Sequence, residues 1–293
     1  MPISKGEQLS FNDDWPIQTP PQSSIDYADL KGHIWTNTKA KLIRNYLNYF
    51  QWVTKHGCYI DGFSGPQYQD EGESWAANLV LDMEPKWFRQ FFLCELNRNK
   101  FRTLKNMVDE QPEKKNRTIV THKGDVNIWV EEVLNSGVIS DSVATFALLD
   151  QHTNQCHWRT VEILANHKQG STKIELFYFY PTSWVNRSIS KKNEAELDNW
   201  WGDDGWKEVK NLTPAESMQL MHSKIKNLGY LDVSILPIYK KEDGGQILYH
   251  MIHATDHPDA RKLMTRAYQK LVATPEELET IDMWEEQNLV GSE

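Results

Sequence analysis

Cys58-Tyr59-Ile60-Asp61-Gly62-Phe63-Ser64-Gly65-Pro66 decides the fold. Three apolar residues run into an acid and then into a glycine-rich turn, which reads as a buried strand feeding a loop. Upstream, Leu42, Ile43, Tyr46, Leu47 and Phe50 recur at helical spacing within Trp35 to Val53, with Lys39, Lys41, Arg44 and Asn45 placed on the other face. That segment is expected to be an amphipathic helix.

Downstream, the pattern repeats. Gln90–Cys94 closes on Glu95, Thr118–Thr121 is followed by Asp125, and Ala144–Leu149 ends at Asp150. A fifth strand is expected over Ile174–Tyr180. Helical stretches separate the strands, at Phe101–Val108, Ile128–Leu134 and Trp158–Ala165. Short apolar strands alternating with helices make a parallel sheet covered on both faces. Val233–Tyr239 and Ile247–Ile252, joined through Asp243-Gly244-Gly245, read instead as an antiparallel hairpin. Between the fifth strand and this hairpin lies a mostly helical insertion, about residues 189–228, which carries Trp200, Trp201 and Trp206. Residues 1–30, rich in Pro, Ser and Asp, are expected to form an arm draped over a domain spanning 31–293.

Ligands of an open parallel sheet bind beyond the carboxyl ends of its strands. Asp61, Glu95, Asp125 and Asp150 all stand there, at four successive strands. Carboxylates in that position suit a nucleoside, one accepting the two ribose hydroxyls and another the adenine amino group. Gly62 and Gly65 let the backbone approach such a ligand without a Cβ in the way. A dinucleotide site would show Gly-x-Gly-x-x-Gly running into a helix, whereas here an acid precedes Gly62 and Pro66-Gln67 follows Gly65. The pattern favours S-adenosylmethionine over NAD.

With Thr36, Lys39, Leu42–Leu47, Tyr59–Pro66, Asp150, Trp201-Gly202 and Leu248–Pro258, the chain resembles the three-Cys-motif partner proteins, from about Trp35 to Tyr268. The resemblance implies a Rossmann-like class I methyltransferase fold, with a seven-stranded, mostly parallel sheet in the order 3-2-1-4-5-7-6 and an antiparallel last strand. It also implies a three-Cys-motif protein encoded nearby as partner. Position by position, it assigns Asp61, Gly62, Phe63 and Gly65 to the cofactor loop, Glu95 to the ribose and Asp125 to the adenine side, with Ser64, Leu96 and Val126 as further cofactor-binding residues. Asp150 would face the substrate and the transferred methyl, and Lys39 would neutralise the cofactor carboxylate or act on a substrate hydroxyl. Two positions depart from the family. Gln67 replaces a glycine and should crowd the methionine end, and Gln151-His152 follows Asp150 where a proline is usual. These departures motivate an alternative, a non-catalytic binding or scaffold module for the partner.

Composition narrows the rest. The balance of 32 Lys and Arg against 41 Asp and Glu gives a net charge of −9, which disfavours broad nucleic-acid binding but leaves room for a local basic surface, so nucleic acid and protein both stay open as acceptors. Three dispersed cysteines suggest a reducing compartment, and the absence of an apolar leader or bilayer-length run suggests a soluble, cytoplasmic protein with no membrane partner. Some of the 12 Trp should line a pocket or interface. His152, Cys156 and His157 could be metal ligands, though packing or a substrate-facing loop is the favoured reading and no metal is assigned. His250, His253 and His257 are expected on a partly exposed edge. Phe177 to Tyr180 could stack on a base or fill the core, and alternation lets at most half of them meet the crevice.

Overall fold

The computed structural model describes residues 15–17, 26–30, 32–67, 72–170, 172–242 and 244–289. In chain order the elements are α1 (Lys39–Thr54), β1 (Gly57–Asp61), α2 (Ala76–Leu81), β2 (Phe88–Glu95), α3 (Arg98–Asp109), β3 (Thr118–Lys123), α4 (Val126–Asn135), β4 (Thr145–Leu149), α5 (Trp158–Asn166) and β5 (Glu175–Tyr180). Four helices follow: α6 (Val185–Ile189), α7 (Glu194–Trp201), α8 (Trp206–Val209) and α9 (Pro214–Lys226). The chain then forms β6 (Asp232–Lys241), β7 (Gly244–Thr255), α10 (Ala260–Val272) and α11 (Pro275–Asn288).

The sheet has seven strands in the order β3-β2-β1-β4-β5-β7-β6. Pairs from β3 to β5 are parallel, and β7 lies antiparallel to both β5 and β6. This is the methyltransferase-type sheet expected from the sequence. β1 is its centre, pairing Asp61 with Leu93 on one side and Leu148 on the other. A strand so placed is covered on both faces, which is why Cys58 to Ile60 is a continuous apolar run.

Alternation along each strand divides the core into two layers. Tyr59, Phe91, Phe146 and Phe177 face α1, α2, α10 and α11, while Ile60, Phe92, Ala147 and Tyr178 face α4, α5 and the helices after β5. Trp200, Trp201 and Trp206 are buried in the second layer, so they fill core rather than line a pocket. Phe177 to Tyr180 are likewise all buried. His250 and His253 do not lie on an exposed edge, because β7 is interior and β6 takes the edge. His253 is fully enclosed with Nε2 3.0 Å from Glu175 Oε2, and His250 Nδ1 lies 2.6 Å from Thr182 Oγ1. Burial depresses the His250 imidazole to about 4.

Two more readings change. α1 starts at Lys39, while Trp35 instead bridges Tyr239 of β6. Lys39 and Asn45, expected outward, are buried. At the other end of the chain, Thr274-Pro275-Glu276-Glu277 opens α11 with a reciprocal cap between Thr274 and Glu277. Much of the expected N-terminal arm lies outside the described residues, as does Asp243 of the hairpin turn. Trp15 and Tyr27 are buried against the first layer, with the Trp15 indole N–H donating to Gln269 Oε1 at 2.8 Å. No helix among the described residues is long and apolar enough to cross a membrane.

Candidate cofactor cleft

A cavity of about 600 Å³ opens beyond the carboxyl ends of β1 to β4. Every residue expected to hold the cofactor or face the acceptor lines it: Asp61, Gly62, Phe63, Ser64 and Gly65 after β1, Glu95 and Leu96 after β2, Asp125 and Val126 after β3, Asp150 after β4, and Lys39 from α1. Strands of a parallel sheet end at one rim, so residues scattered over more than a hundred positions arrive together.

The β1 turn is held by its own acid. Phe63 N–H donates to Asp61 Oδ1 and the Tyr59 hydroxyl to Oδ2, each at 3.0 Å, while the Ser64 hydroxyl donates to the Asp61 carbonyl at 2.8 Å. Burial raises the Asp61 carboxyl to about 7 against the pull of these donors. The Trp75 indole N–H donates to the Ser64 carbonyl at 2.6 Å and Ser64 N–H to the Cys94 carbonyl at 2.8 Å, so the turn is tied to β2.

Glu95 faces the same turn. Its Oε2 accepts from Gly65 N–H at 3.0 Å and Oε1 from Asn97 N–H at 2.6 Å. A Cβ on Gly65 would lie 2.3 Å from Glu95 Oε2 and 2.7 Å from Lys100 Cβ, so only glycine fits. Gly62 is tight against Val126, where a Cβ would come within 3.0 Å of Cγ2. Asp125 caps α4, its Oδ1 accepting from the Asn127 backbone N–H at 2.9 Å. Asn127 Oδ1 then accepts from His157 N–H at 2.7 Å and the Thr160 hydroxyl at 2.8 Å, tying α4 to α5.

At the far wall Lys39 Nζ lies 2.5 Å from Asp150 Oδ2, and the lysine is only 3% exposed. Burial is the largest single influence and opposes its charge, but the Asp150 carboxylate and the Tyr249 hydroxyl together outweigh it and hold the ammonium above its ordinary range. The same ammonium sits 5.3 Å from the centre of the Tyr249 ring. Lys39 is therefore a clamp on Asp150 rather than a solvated side chain. It leaves Asp150 Oδ1 buried without a hydrogen-bond partner among the described residues. Asn154, 4% exposed and also lining the cavity, accepts the Ser188 hydroxyl at 2.6 Å on its Oδ1 and leaves its Nδ2 donor unpartnered as well. Each of these two cavity-lining side chains thus keeps one buried polar atom, an acceptor on Asp150 and a donor on Asn154, that the described residues do not satisfy.

Gln67 is exposed at the rim instead of filling the cavity. Gln151 points away from it: Nε2 donates to the Phe179 carbonyl at 3.1 Å, and Oε1 accepts from the backbone N–H groups of Gln155 and Cys156, each at 2.7 Å. Cys156 is buried, and burial pushes its thiol well up. No cluster of three or more His, Cys, Asp or Glu able to hold a metal occurs among the described residues. The sequence reading missed Trp75, Lys100, Asn127 and Asn154. Asn127 carried a signal, two residues after a helix-capping Asp; Trp75 and Asn154 carried none, since their partners are distant in the chain.

Fold and cleft together define the class: an α/β protein with a methyltransferase-type sheet and a polar cavity at its carboxyl edge. No family model matches the chain, and no curated protein matches it. Among solved structures it is similar to protein LPL1258 from Legionella pneumophila, at 11% identity and a TM-score of 0.45 over 83% of this chain and 94% of that one. The methyltransferase domain of bacterial CtHen1-C gives 13% identity and 0.45 over 73% and 97%. TYW2 of P. horikoshii in complex with MeSAdo gives 12% identity and 0.37 over 79% and 66%. With scores this low, the fold assignment stands on the strand order itself.

Proposed function

We propose that the chain is an S-adenosylmethionine-dependent methyltransferase that works with a three-Cys-motif partner protein and transfers the methyl group to nucleic acid or protein. The convergence of Asp61–Gly65, Glu95, Asp125 and Asp150 on one cavity carries the reading.

The residues fit the cofactor. Each Glu95 oxygen takes one backbone N–H, leaving further lone pairs of the carboxylate for ribose hydroxyls. Leu96, 62% exposed, and Val126 offer apolar contact to the adenine. Gly62 and Gly65 leave free the space that a Cβ would take against Val126 and Glu95. When bound, the cofactor supplies an electrophilic methyl on a sulfonium. The chain's own contribution is orientation: Lys39 fixes Asp150 by Oδ2, Oδ1 accepts a hydrogen from the attacking N–H or O–H, and Asn154 Nδ2 donates to a neighbouring acceptor atom of the substrate. The scaffold alternative was motivated by Gln67 and Gln151. An exposed Gln67 and an inward-turned Gln151 obstruct neither donor nor acceptor, which supports turnover.

The test is transfer of tritiated methyl from S-adenosylmethionine to pooled nucleic acid or to the co-expressed partner. Label should appear with the natural chain and fall at least 100-fold in Asp150→Ala while cofactor binding persists. Cofactor binding without label on either acceptor would favour the scaffold.

A further inference from the structure

Beside the cleft, α3 and the edge strand β3 enclose a second concavity of about 310 Å³, lined by Arg98, Phe101, Arg102, Lys105, Asn106 and Lys123 among others. It adjoins the first: Asn97, next to Arg98, and Gly124, next to Lys123, both line the larger cavity. We propose that this groove binds the phosphate backbone of a single-stranded nucleic acid.

Charge is the first argument. Residues 98–123 hold eight Lys and Arg against three Asp and Glu, a local net of +5 in a chain of −9. The acids of that segment are Asp109, Glu110 and Glu113, none of them in the groove lining. Lys105 pairs with Asp109, but Arg98, Arg102 and Lys123 are exposed and have no carboxylate partner among the described residues. A structural role would have matched them with acids, which this chain has in excess.

Geometry is the second. Arg98, Arg102 and Lys105 stand at i, i+4 and i+7, one stripe of α3 with steps of about 6 and 4.5 Å along the axis. A row of cations at such intervals suits a repeating row of phosphates. Phe101 lines the groove half-buried and packed against the first core layer, so that only its uncovered part offers a base an aromatic contact. A concave, ring-bearing channel suits a strand better than a flat bilayer. Groove binding is independent of methyl transfer; only the use of the strand as acceptor rests on the function proposed above, through the shared rim at Asn97 and Gly124.

The experiment is fluorescence anisotropy of labelled single-stranded RNA and DNA 15-mers with the full chain and no S-adenosylmethionine. Binding should weaken with salt, with a log–log slope near −2 to −3 for three or four phosphate contacts at about −0.7 each. Arg98→Glu/Arg102→Glu/Lys123→Glu should bind at least tenfold more weakly with a slope shallower by about 2, while keeping the melting profile of the natural chain. Lys207→Glu/Lys210→Glu, at the exposed face of α8, should bind as the natural chain does. Failure of both oligonucleotides to bind, equal loss in the two charge-reversed variants, or binding only to phosphatidylserine vesicles or polyglutamate would overturn the proposal.

Discussion

Asp61 and Lys39 meet the same environment with opposite outcomes. The Asp61 carboxyl, enclosed with only dipolar donors, is raised to about 7. Its folded form therefore holds a proton that the unfolded chain, at an ordinary carboxyl value near 4, has released. Between those two pH values stability falls as pH rises, by up to about 1.4 kcal/mol per pH unit. Urea denaturation of Asp61→Asn from pH 5 to 7 should lack that slope, and an unchanged slope would remove Asp61 as its source. Lys39 has a true counter-ion. Removing one member of a buried pair strands the other, so Lys39→Met should cost about 3–5 kcal/mol. Lys39→Met/Asp150→Asn should cost clearly less than Lys39→Met, as a double-mutant cycle would read. The sequence placed Lys39 correctly at the cleft but faced it outward in the helix pattern, because its partner lies 111 positions away.

At the scale of elements, the ends of β1, β2 and β4 were legible because each is a largely buried run closed by an acid, a signal that needs no partner to read, whereas the edge strand β3 is half-exposed and its acid, Asp125, stands two residues beyond it. Loops between them were not. Gln151 looked like a missing proline, yet its side chain makes the turn by replacing three backbone contacts. Gln151→Ala should cost about 1–3 kcal/mol through the unpaired N–H groups of Gln155 and Cys156. Hydrogen exchange should show faster amides over 151–157, with methyl transfer falling more than cofactor affinity. Slow exchange there would show that the loop holds without the glutamine. The histidines of β7 were misread because their exposure was taken from local alternation alone, although the order 5-7-6 implied by the resemblance already puts the last strand inside the sheet.

Across the whole molecule, the packing that closes the first layer lies away from the carboxyl edge of the sheet. The α1–α10–α11 layer is closed by Trp15, whose ring meets Trp284 edge-on at 5.2 Å and lies under the Arg266 guanidinium at 4.8 Å. Trp15→Ala should cost about 3–5 kcal/mol, read by denaturant titration, with cofactor affinity unchanged because Trp15 does not line the cleft. The carboxyl edge of the sheet carries the chemistry, and the central claim is that this edge binds S-adenosylmethionine. Isothermal titration calorimetry tests it most directly. One site per chain is predicted, weakened at least tenfold by Glu95→Ala and abolished by Gly65→Val, whose side chain would occupy the space of Glu95. No heat with the natural chain, or an affinity indifferent to both substitutions, would contradict the account.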